Sequence, residues 1–175
     1  MPMRLFLLSV SFLAALPLQA ADPEVKLLLD HWSKSKAYML ELAEQMPADQ
    51  YTSRPNEAEM TFGEQMVHIA DGILYMMQSY TPNAPKMFDP KKADKETAIA
   101  DIKAAFDAGA AAIGSFSDAD LTHKMVESEG TKITSLEAIM MAFDHVEHHR
   151  GQAREVSHTQ GTSGAAARIP ASYTW

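Results

Sequence analysis

Apolar residues recur at intervals of three and four, rather than two, in four separate stretches of this chain, and that period restricts it to helices. The first stretch runs from Pro23 to Gln45, with Asp22 as its expected cap and proline at the first helical position. Val25, Leu28, Leu29, Trp32, Ala37, Leu40 and Leu42 carry its spacing. The second opens on Thr61-Phe62-Gly63-Glu64, a capping box, and Phe62, Met66, Ile69, Ile73 and Met77 then form one stripe ending near Tyr80. The third covers residues 94–116, with Ile99, Ile102, Phe106 and Ile113 expected inward. The fourth follows a second capping box, Thr134-Ser135-Leu136-Glu137, and reaches Ser157. Its most regular stripe is Leu136, Met140, Phe143 and Val146. Nothing reads as a strand. Four helices of about 20 residues, joined by loops of roughly 15, predict an all-α four-helix bundle. The bundle is expected over residues 21–160, followed by an irregular tail of small residues at 161–175.

The residues before that bundle have a different character. Arg4 is the only charge ahead of an apolar run from Leu5 to Leu16, Pro17 ends the run, and Ala20 supplies a small residue for cleavage. This is the pattern of a secretory signal peptide, and the run falls short of the roughly 20 residues that a membrane-crossing helix needs. Residues 1–20 are therefore expected to be removed and the protein exported, to the periplasm or beyond, with no stable membrane insertion afterwards. Cleavage after Ala20 leaves 155 of the 175 residues, enough for one domain with one core. Loss of Arg4 moves the net charge from −8 to −9. An acidic surface repels phosphate backbones, so nucleic acid is not an expected partner. The chain has no cysteine, which excludes disulfides, thiolate nucleophiles, Cys-rich zinc sites and a lipoprotein anchor. Histidine, carboxylate and hydroxyl chemistry remain. The 12 methionines, including Met76-Met77 and Met140-Met141, lie at helical spacing and read as core filler rather than copper ligands.

Three of the seven histidines fall in Asp144-His145-Val146-Glu147-His148-His149-Arg150-Gly151-Gln152. Successive helical residues turn by about 100°, so His145 and His149 stack one turn apart on one face, the spacing of helical two-histidine metal sites. His148 is rotated about 60° from His145 and about 100° from His149, which makes it the poorer partner. A His-Glu-x-x-His protease is excluded, because Val146 occupies the place of the general base and Glu147 points to the opposite face. Ala138, Met141 and Ala142 share the histidine side, so the pair is expected to face a groove between helices. His68, mid-way along the second helix with Gly72 one turn on, is the best third ligand. His31 has no second ligand at helical spacing, and His123 and His158 sit near element ends.

The context Met66-Val67-His68-Ile69-Ala70-Asp71, followed by His145-Val146-Glu147-His148-His149-Arg150-Gly151-Gln152, resembles the two signatures of the DinB/YfiT-like helical bundles. The order of elements agrees, and the resemblance spans the mature chain to about Gln152. It implies up-down-down-up connectivity and one divalent transition metal held by His68, His145 and His149. Zinc or nickel is the implied ion, with iron or manganese as alternatives. Some characterised relatives are metal-dependent transferases or isomerases that activate a small thiol.

Three neutral imidazoles leave a divalent ion its full charge and open positions, the condition for Lewis-acid catalysis. Bound water then falls from a pKa of about 9 on aqueous zinc towards about 7. The expected function is that of a metal-dependent hydrolase or transferase of small molecules, the alternative being a metal-binding or interaction protein without catalysis. Asp71, Tyr75 and Gln152 are the candidate catalytic or orienting groups. The expected partners are a small-molecule substrate and, in a homodimer, a second copy of the chain.

Overall fold

Helix α1 (Pro23–Gln45) starts where Pro23 cannot donate and its φ is already helical. Its expected cap, Asp22, makes no side-chain hydrogen bond to the helix. Asp118 supplies it instead: its carboxylate accepts from the N–H of Glu24 (3.1 Å) and Val25 (3.0 Å), while Asp22 accepts from the N–H of Asp118 (2.9 Å). The computed structural model describes residues 22–80, 88–128 and 130–159. The expected signal peptide and the tail at 161–175 lie outside them.

Helix α2 (Phe62–Met77) begins at the capping box read from the sequence. Glu64 N–H donates to Thr61 Oγ1 (3.2 Å) and Thr61 N–H donates to Glu64 Oε2 (2.8 Å). All five residues of its stripe are fully buried. Helix α3 (Lys95–Ile113) is capped by Asp94, which accepts from Thr97 N–H (3.1 Å). The fourth long helix, Ser135–Thr159, starts at the second capping box, with Glu137 N–H donating to Thr134 Oγ1 (3.2 Å) and Thr134 N–H donating to Glu137 Oε2 (2.7 Å).

The segment before it is not a plain loop. It holds a short helix, α4 (Asp118–His123), and an antiparallel hairpin of β1 (Met125–Ser128) and β2 (Thr131–Thr134), so the fourth long helix is α5. The register pairs Met125 with Thr134 and Ser128 with Thr131, and Gly130 sits in the turn at φ +78°. Ser135 closes the hairpin by donating both its N–H (2.9 Å) and its hydroxyl (3.1 Å) to the carbonyl of Lys124.

The fold is thus mostly helical, with a small two-stranded sheet among the described residues. α2 lies at its centre, packed against α3 on one side and α5 on the other, and α1 packs chiefly on α3. There the Trp32 indole N–H donates to the carbonyl of Phe106 (2.8 Å). Gly109 makes the approach possible, since a Cβ at that position would lie 2.4 Å from the ring. One position on each of two expected faces is corrected. On α1 the buried line runs through Val25, Trp32, Ser35, Met39 and Leu42, and Ala37 is exposed. On α5 the expected Phe143 and Val146 are buried and Leu136 packs against the core, with Ile139, Ala142, Ala153 and Val156 buried beside them, whereas Met140 is 45% exposed. α5 is apolar almost all round in its first half, and its packing leaves Met140 outside.

Candidate metal centre

His68 lies at the middle of α2, and His145 and His149 lie one turn apart on α5, half-buried where the two helices meet. Ala138 and Ala142, on the same line of α5, are buried against the core and leave room for the imidazoles above them. Gly72 completes the space. A Cβ there would stand 2.0 Å from His145 Cε1 and 2.5 Å from each ring nitrogen, so only glycine allows this ring to lie against α2.

The three rings meet through their Nε2 atoms. His68 Nε2 is 3.1 Å from His149 Nε2 and 3.3 Å from His145 Nε2. Ligand nitrogens at roughly 2.0–2.1 Å from a shared ion stand about 2.8–3.0 Å apart in octahedral and about 3.3–3.4 Å apart in tetrahedral geometry, so these separations fit one cation. Hydrogen bonding among the rings accounts for the cluster less well. His68 Nε2 carries at most one proton, yet it faces two other imidazole nitrogens. Together the three side chains could hold a metal ion, and among the described residues no fourth His, Cys, Asp or Glu joins them.

The protonation states favour the same use. Burial, with the neighbouring His149, His68 and His148, lowers the pKa of His145 from 6.5 to about 4. Burial and the charge of His68 lower that of His149 as well, partly opposed by its bond to Gln152. Two of the rings are thus neutral at physiological pH, with lone pairs to give. His149 Nδ1–H donates to Gln152 Oε1 (2.7 Å), and Gln65 Oε1 also lies within reach (3.0 Å). Both acceptors place the proton on Nδ1 and turn the Nε2 lone pair to the centre, the usual support for a ligating histidine. His145 Nδ1 is buried without a hydrogen-bond partner. Such a group costs about 1–3 kcal/mol and is concentrated at functional sites.

An open cleft of about 390 Å³ reaches His68, its wall also including Asp71, Glu64, Glu59, Met60 and Arg54. The other sequence candidates divide. Gln152 orients His149, as above. Asp71 reaches the cleft, but its Oδ1 accepts from the N–H of Phe88 (2.7 Å) and so ties down the chain beyond α2. Tyr75 is 44% exposed and is not on the cleft wall. His148 is exposed and meets only the edge of His149, His31 packs on Phe143 at a ring separation of 4.8 Å, and His123 bonds the carbonyl of Ala119 at the end of α4. Gln65 was not singled out from the sequence. It stands three residues before His68, on the same face, and that spacing was the available signal.

A model of the DinB superfamily matches residues 31–153. Among solved structures, the chain is similar to a DinB-like protein from Bacillus cereus ATCC 10987. The TM-score is 0.68 at 17% sequence identity, over 77% of this chain and 91% of that one, a likeness of fold. No curated protein matches the sequence.

Proposed function

The chain belongs to the DinB superfamily, and from that premise we propose that it binds one divalent transition-metal ion through His68, His145 and His149 and acts on small molecules there. The observation that carries the reading is the approach of His68 Nε2 to within 3.3 Å of both other Nε2 atoms, across two helices. When bound, zinc, nickel or a similar ion supplies Lewis acidity, polarising a carbonyl or lowering the pKa of a thiol. The residues of the chain do the rest. Gln152 and Gln65 hold His149 in its donor tautomer, Gly72 sets the depth of His145, and the cleft admits a small substrate. A hydrolase or transferase fits three protein ligands with open positions.

A second reading is metal binding without turnover. It draws support from Asp71, whose carboxylate is engaged by Phe88, and from Tyr75, which lies off the cleft wall.

We read the four long helices as an up-down-down-up bundle. Residues 1–20 are read as a signal peptide, so exported protein should begin at Ala21. A homodimer is part of the same reading.

Metal analysis of protein purified without an affinity tag tests the central claim. Close to one ion per chain is expected, and none in His145→Ala. Wild-type protein that neither carries nor takes up zinc or nickel refutes it. Turnover of esters or thiol-reactive electrophiles by the loaded form, lost in His145→Ala, separates the enzyme from the binding protein.

A further inference from the structure

The loop between α1 and α2 is anchored by buried contacts and lines the cleft. Tyr51 is buried, its hydroxyl donating to the carbonyl of Ala43 (2.7 Å) and its ring set edge-on to Phe62 at 5.0 Å. The N–H of Gly63 donates to the carbonyl of Tyr51 (2.9 Å), and that of Phe62 to the carbonyl of Ser53 (2.8 Å). The residue after Ser53 is Arg54, so its backbone starts from a point fixed to the first turn of α2, the helix that carries His68. Arg54 is exposed and shares the cleft wall with His68.

The acids of that wall are unequal. Glu64 is engaged at Thr61 N–H and Asp71 at Phe88 N–H. Glu59 is exposed, and it faces a second cleft of about 280 Å³ as well. Arg54 therefore presents a cation of fixed origin beside the imidazole cluster. A planar guanidinium pairs with a carboxylate through two parallel N–H bonds, whereas a lone metal position takes any single donor atom.

We propose that Arg54 determines substrate specificity: it receives the carboxylate of a small acid whose second polar group lies at the three-histidine centre. This rests on the metal reading given above. The site would thus select carboxylate-bearing esters, amides or thiols over their neutral counterparts.

Protein loaded with cobalt(II), whose visible spectrum reports its ligands, is titrated with acetate, malonate, succinate and glutarate. Acetate reaches the metal alone, and the diacids can reach both points. At least one diacid is expected to bind about ten- to a hundred-fold more tightly than acetate, the range for one charge-assisted pair. Arg54→Gln should abolish that advantage and leave acetate binding and cobalt uptake unchanged, with Arg54→Lys intermediate. A diacid advantage that survives Arg54→Gln, or no advantage in the wild type, overturns the proposal while the metal site stands. Failure of wild-type protein to take up cobalt removes both.

Discussion

At Gly72 a single hydrogen atom in place of a methyl group sets the distance between His145 and α2. Gly72→Ala puts a Cβ on the imidazole, and the ring must leave because the helix backbone cannot. Metal affinity is expected to fall at least about tenfold, alongside an overpacking cost of about 1–3 kcal/mol. Metal titration and urea denaturation measure the two separately, and unchanged affinity would mean that the ring does not need its present depth. His149 offers a different contrast, because two amides meet one N–H. Loss of a supporting partner usually costs a ligand site about 10–100-fold in affinity. Gln65→Leu and Gln152→Leu should each cost less than that, since the other acceptor remains, and the double substitution should cost the full amount. Additive single effects in metal titrations would show instead that the amides act independently. These residues also differ in how far the sequence disclosed them. His145 and His149 are visible as a one-turn pair, and His68 as a mid-helix histidine with Gly72 on its face. Gln65 looks like any helical polar residue until its partner on α5 is known.

The long helices could be read because each carries about 20 residues of one period, far beyond a chance run, and two open on capping boxes. The hairpin could not. Four residues per strand are too few to establish a period of two, and a two-stranded sheet this small depends on what it packs against, here α4 and α5. Met140 departs from the expected stripe of α5 for a related reason: where a helix is apolar on several sides, its partners choose which positions are buried. The cap of α1 was hidden by distance in sequence, since its acceptor lies 93 residues from Val25. Asp118→Ala removes the acceptor for two N–H groups at the positive end of α1 and keeps the backbone N–H that donates to Asp22. A loss of about 1–2 kcal/mol is expected from chemical denaturation, the upper part of the range for a cap. Asp22→Ala should cost less, because Asp22 serves one N–H of a six-residue helix. Equal losses would mean that the pair works as one unit.

For the molecule as a whole, the imidazole cluster couples stability to protons and, on the proposed reading, to metal. Well above pH 6.5 His145 is neutral whether the chain is folded or not. Between 6.5 and about 4 the unfolded chain takes up a proton there that the folded chain refuses, so this group favours unfolding progressively as pH falls. His149 acts in the same direction through its own lowered pKa. A bound ion opposes both, because it requires the neutral rings that the folded protein already supplies. At a free concentration 100 times its Kd it adds about 2.7 kcal/mol to stability. Calorimetry at pH 7 and pH 5, with nickel or with a chelator, should show a higher Tm with metal at pH 7 and a smaller difference at pH 5. Carboxylates and the net charge of −8 also respond to acid, so the metal-free comparison is made against His145→Leu, which keeps those groups and removes this one. The wild type should lose more stability than the variant between pH 6.5 and 4. Parallel losses would place His145 in a wet, ordinary environment. The burial of this ring between α2 and α5 would then not govern its titration.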